Sequence, residues 1–70
     1  MQEVHKKLGK RIAELRKKRG FSQEDFAHEC EFHRSYMGAV ERGEKNITLA
    51  SVNRIAVALK MSLQELFKGV

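Results

Sequence analysis

Val4, Leu8, Ile12 and Leu15 recur at spacings of four, four and three. That period lays them along one side of an α-helix, whereas strand side chains alternate with period two. The spacing predicts an amphipathic helix over residues 3–19. Lys17, Lys18 and Arg19 suit its negative C-terminal end, and Gly20 supplies the left-handed position on which helices close. The same logic continues along the chain. Ser22 heads a second helix, about 23–29, and Asp25 three residues on makes a shortened capping box. Its inward face is Phe26, Ala27 and Cys30. A helix this short does not stand alone in water, so packing must hold it. Glu31-Phe32-His33 leads to a third helix, about 34–42, with Met37 and Val40 inward and Gly43 at its end. Thr48 caps a fourth, whose Val52, Ile55, Ala56 and Leu59 keep the helical spacing. Ser62 with Glu65 reads as a capping box for a short fifth helix bearing Leu63, Leu66 and Phe67. The chain contains no proline and no alternating run. The expected fold class is all-α: one compact domain of five helices over residues 1–70.

A chain of 70 residues buries only about 60% of the surface that its unfolded form exposes, so its stability is marginal. Cys30 is the sole cysteine, which excludes an internal disulfide and suits a reducing compartment. Residues 1–20 lack the apolar core of a signal peptide, and no apolar run approaches a membrane span. A cytoplasmic location is therefore expected. The net charge of +5 is unevenly spread: residues 1–20 carry eight Lys/Arg against Glu3 and Glu14, whereas residues 21–41 carry Arg34 against five acids. Such a balance suits a polyanion, nucleic acid before an anionic membrane. The four apolar residues of helix 1 are needed for the core, which argues against a membrane-surface helix.

No enzyme chemistry is legible. Ser22 and Ser62 sit at helix starts with no His–Asp arrangement behind them. The spacing of His28, Cys30 and His33 matches no zinc pattern. "GK" at 9–10 lacks the upstream glycine of a phosphate loop. No metal, cofactor or small-molecule ligand is expected. The third helix is more informative. With Met37 and Val40 inward, residues 34, 35, 38, 39 and 42 fall on the opposite side, reading Arg, Ser, Gly, Ala, Arg. That side has no acid and no large apolar group. A fork-shaped donor at its head and small residues behind it suit insertion into a groove, where Arg bonds guanine O6 and N7 bidentately and Ser bonds several base edges.

"SQEDFA" at 22–27 and "VERG" at 40–43, within a stretch from about Gly9 to Phe67, resemble the phage-repressor/Cro-like (xenobiotic-response-element type) helix-turn-helix family. "ERGEKNITL" and the small size further resemble controller proteins of restriction–modification systems, which are dimeric transcription regulators. The resemblance implies a five-helix lambda-repressor-like fold and a sequence-specific regulator that binds double-stranded DNA as a homodimer on a roughly palindromic operator. It places Arg34, Ser35 and Ala39 at base-reading positions. Gln23, Tyr36, Arg42, Lys45 and Asn46 fall at backbone-binding positions, and Arg16 with Glu41 at a structural ion pair between helices 1 and 3. The family usually has Gly where this chain has Glu31, at the left-handed start of the turn between helices 2 and 3. A non-Gly residue there costs about 1 kcal/mol. Leu63, Leu66, Phe67 and Val70 exceed what a small core needs and are candidates for the dimer surface. Without a sensor domain, regulation by the protein's own concentration is expected. An antitoxin or transcriptional bridging adaptor, binding protein through helices 4 and 5, is the alternative use of this fold.

Overall fold

A computed structural model describes residues 2–70. Five helices follow in order: α1 Gln2–Lys18, α2 Gln23–Glu29, α3 Arg34–Glu41, α4 Leu49–Ala58 and α5 Leu63–Leu66. No strand occurs among the described residues. The sequence expectations hold to within a residue or so at the ends of the first three helices.

The helix starts follow from side-chain chemistry. Ser22, Thr48 and Ser62 each accept the backbone N–H three residues on, from Asp25 (3.0 Å), Ser51 (3.1 Å) and Glu65 (3.1 Å). Each bond satisfies a donor that the helix leaves open. The helix ends share one device. After α1, α2, α3 and α4, a residue at positive φ lets the next amide reach back five residues. These amides are Phe21 to Arg16 O, Phe32 to Ala27 O, Glu44 to Ala39 O and Met61 to Ala56 O, at 2.8–3.1 Å. Glycine fills the left-handed position twice, at Gly20 and Gly43, but Glu31 (φ 61°) and Lys60 (φ 57°) fill it after α2 and α4. The strain expected at Glu31 is therefore present, and Lys60 adds a second case that the sequence reading did not foresee.

The core draws on all five helices, with α3 packed against both α1 and α2 and α4 against α5. Phe26, Ile12, Met37, Ile55, Leu59 and Leu66 are fully buried, each contributing about 1.5–3 kcal/mol through removal from water. Val4 departs from its predicted place in the stripe of α1: it is half exposed, because the first turn of α1 runs past the core and the buried stripe begins at Leu8. The crossing of α1 and α3 depends on Gly9. A Cβ there would lie 2.6 Å from the Glu41 carbonyl oxygen and against that of Val40. Backbone rather than flexible side chain stands in the way, so the two helices approach this closely only over glycine.

Candidate nucleic-acid interface

Helices α2 and α3, joined through the left-handed Glu31, present the head of α3 to solvent. Arg34 and Ser35 occupy its first turn and both are exposed. His33 caps this helix, a role its place in the connection did not suggest. Its Nδ1 accepts from the Ser35 N–H at 3.2 Å and lies 2.8 Å from Ser35 Oγ. An accepting Nδ1 leaves the ring proton on Nε2, and the same nitrogen orients the serine hydroxyl. Tyr36 is half-buried, its ring edge-on to Phe32 with centroids 5.0 Å apart. The Arg54 guanidinium of α4 stands 5.9 Å from the Phe32 ring centroid, which ties the turn to α4 through a cation–π contact.

The cleared side of α3 differs from its sequence-based picture in two places. Ala39 is only 7% exposed, so its methyl is not an open base-facing group. The chain leaving α3 turns back on this residue, with Glu44 N–H donating to its carbonyl at 2.9 Å. Gly38 is also buried. A Cβ on it would lie 3.1 Å from an Arg42 guanidinium nitrogen and 3.4 Å from Gln23 Oε1. The absent side chain thus leaves room for Gln23 and Arg42 to lie over the helix. Together with His33, Arg34 and Ser35 they line a shallow concavity of about 390 Å³.

A buried network backs this concavity. Arg16 grips Glu41 with two bonds, Nε to Oε2 at 2.7 Å and a second nitrogen to Oε1 at 3.1 Å. Its remaining nitrogen donates to the Phe21 carbonyl at 2.9 Å. Both charged side chains are under a tenth exposed. Gln23 joins as a third member, donating from Nε2 to Glu41 Oε1 at 3.1 Å. One carboxylate therefore fixes α1, the start of α2 and the end of α3. Removing either charge alone would strand the other, at a cost of about 3–5 kcal/mol. The expected Arg16–Glu41 pair is present; the part played by Gln23 in it had no signal in the sequence.

Beyond α3 the surface opens. Arg42, Lys45 and Asn46 are all exposed. Arg42 Nε meets Glu44 Oε2 at 3.1 Å. That hydrogen bond holds the Glu44 carboxyl below its ordinary value and raises Arg42. Both groups lie in solvent, where such a pair contributes little and exchanges readily for a better anion.

The dimer candidates separate by burial. Leu66 is fully buried in the chain's own core, and Leu63 and Val70 are half-buried against it. Leu66 is therefore withdrawn as an interface residue, because its side chain is already used. Phe67 keeps 37% of its surface exposed, while Leu49 and Val57 of α4 are more exposed still, at 69% and 66%. Sequence reasoning missed these two because both fit the general apolar content of α4.

Other reactive groups have local roles. Burial, and secondarily the charge of Glu29, push the Cys30 thiol from 9.0 to about 11 against an opposing effect of Arg54. It stays protonated at neutral pH. Among the described residues no group of three or more His, Cys, Asp or Glu side chains gathers as a metal site, and no helix is long and apolar enough to cross a membrane.

Two short helices linked by a tight turn, the second with its head exposed and its tail clamped to α1, define a helix-turn-helix protein. The helix-turn-helix family model matches residues 12–66, and the chain belongs to that family. Among its relatives is Control protein C.MunI of Mycoplasma sp, 32% identical over 71 aligned positions that cover 100% of this chain and 96% of the relative. Control protein C.BamHI of Bacillus amyloliquefaciens is 36% identical over 60 positions, covering 84% and 74%. The crystal structure of the restriction-modification controller protein C.AhdI from Aeromonas hydrophila superposes with a TM-score of 0.88 at 40% identity, covering 93% of this chain and 94% of the other.

Proposed function

We propose that this chain is a sequence-specific, duplex-DNA-binding transcription regulator. It acts as a homodimer on a roughly palindromic operator and controls a restriction–modification system. The observation that carries the reading is the head of α3: Arg34 and Ser35 exposed on a helix whose far end is clamped by Arg16, Glu41 and Gln23. A reader that is to discriminate bases must be held still, and this one is braced against two other helices.

In this mechanism α3 enters the major groove. Arg34 reads guanine O6 and N7 with its fork, and Ser35, oriented by His33, bonds a neighbouring base edge. Gln23 gives one amide N–H to Glu41 and has a second for a phosphate at the start of α2. Arg42, Lys45 and Asn46 hold the backbone past the end of α3, with Arg42 leaving Glu44 for the stronger anion. A second copy, docked through Leu49, Val57 and Phe67, places a second α3 about 34 Å away in the next major groove. Occupancy then follows the protein's own concentration through dimerisation. The role is binding rather than turnover, in keeping with serine hydroxyls committed to helix caps and a thiol held protonated. The resemblance to controller proteins supports the restriction–modification assignment.

The test is Arg34→Ala, assayed against an operator selected from random duplexes and against a scrambled duplex in the same salt. Base reading predicts a loss of about 1–3 kcal/mol on the operator, confined to one base pair of each half-site, with little change on scrambled DNA. Equal losses on both would make Arg34 a phosphate contact. A protein indifferent to duplex DNA would favour the adaptor reading.

A further inference from the structure

The first turns of α1 lie against the loop that follows α3. Gly43, at φ 76°, marks the contact: a Cβ on it would sit 2.7 Å from Lys6 Cα and 2.9 Å from Lys6 N. The loop can pass α1 this closely only because position 43 carries no side chain. Two exposed segments far apart in sequence are thereby brought to the two walls of one cavity. It measures about 600 Å³ and is lined by His5 and Lys6 on one side and by Arg42, Gly43, Glu44, Lys45 and Asn46 on the other. Three fixed cations face a single carboxylate there, and that carboxylate is already engaged by Arg42. Arg42 also lines the concavity at the head of α3. Arg42 is thus common to the hollow at the head of α3 and the one beside the start of α1.

We infer that this cavity is a phosphate-binding subsite for the DNA backbone, and that Lys6 is a direct phosphate contact supplied by α1. The inference rests on the DNA-binding reading above and extends its footprint to a helix to which that reading assigns only the brace residue Arg16. The chemistry is that of an ammonium and a guanidinium converging on one anion, with the Asn46 amide and the His5 ring available as further donors. Arg42 exchanges Glu44 for the phosphate when DNA arrives.

Lys7 provides an internal control. It is also exposed, but lies about 100° further round the helix and lines a different hollow with Lys10, Arg11, Glu14, Lys68 and Gly69. The experiment measures affinity of the full chain for its selected operator across a salt series, for the parent, Lys6→Gln, Lys6→Arg and Lys7→Gln, with thermal melts to confirm folding. Loss of one phosphate contact flattens the slope of log K against log salt by about 0.9 per bound subunit and weakens binding about fivefold to tenfold per subunit near 0.1 M salt. Lys6→Gln is expected to show this change on operator and scrambled duplex alike, Lys6→Arg to restore the slope, and Lys7→Gln to leave it as in the parent. A slope unchanged in Lys6→Gln would overturn the subsite while leaving DNA binding intact. So would equal losses in Lys6→Gln and Lys7→Gln, which would show a diffuse field instead of a contact. A parent that binds no duplex would remove the functional reading and the subsite with it.

Discussion

Cys30 and Gly38 show how much a single position depends on what lies over it. The thiol is 2% exposed in the core, and its ionisation is displaced upward to about 11. The folded state therefore holds the thiol proton more tightly than the unfolded chain does. The resulting stabilisation is fully present below pH 9 and is lost as the pH rises through about 11. A displacement of this size corresponds to about 2–3 kcal/mol. Subtracting the pH profile of Cys30→Ala, measured by urea unfolding, isolates it from every other ionisable group. The parent should lose stability relative to the variant between pH 9 and 11, and parallel profiles would show that burial does not hold the thiol neutral. Gly38 could be read in sequence only as an absence of side chain on a polar face. The structure supplies its neighbours: Gln23 and Arg42 lie across it. Neither was predictable, because both reach it from residues whose χ angles the sequence does not specify. Arg34 and Ser35 were legible, since charge and helical spacing alone put them at the exposed head of α3. Ala39 was not, because the covering of its methyl depends on how the chain returns after Gly43.

At the scale of helices, the contact of α1 with α3 decides whether the site exists. Gly9 lies beneath the carbonyls of Val40 and Glu41, seven positions before Arg16 reaches the Glu41 side chain on the same side of α1. Gly9→Ala has the higher helix propensity, yet backbone atoms of α3 occupy the space its methyl needs. Overpacking should win, destabilising the protein by about 1–3 kcal/mol, measurable as a lower urea midpoint with unchanged slope. A stabilised Gly9→Ala protein would mean that α1 and α3 can separate freely. The sequence disclosed helix order and most boundaries because caps and left-handed ends are local chemistry: Ser22, Thr48, Ser62, Gly20 and Gly43 state them outright. It did not disclose the close crossing at Gly9 or the cap supplied by His33, since the first is a tertiary contact and the second uses a residue outside the usual capping set. Glu31 and Lys60 hold left-handed conformations that glycine would hold with less strain; their charged side chains are exposed.

At the scale of the whole molecule, the proposed DNA-facing head of α3 and the exposed apolar residues of α4 lie on different elements. Leu49 and Val57 are eight residues apart on α4, more than two helical turns, and both are about two-thirds exposed. The proposed docking of a second copy would bury both. Val57→Glu should shift sedimentation toward monomer at micromolar concentration without lowering the melting temperature of the monomer. A dimer that persists unchanged in that variant would place the interface elsewhere.

The most direct measurement is the ratio of affinities, in one stated salt, for the duplex selected from a random pool and for a scrambled duplex of the same length and composition. Operator recognition by a braced pair of α3 helices predicts a ratio of about 10³ or more, with the selected sites showing two-fold symmetry and half-sites one helical turn apart. Equal affinity for the two duplexes, or selected sites without symmetry, would contradict it.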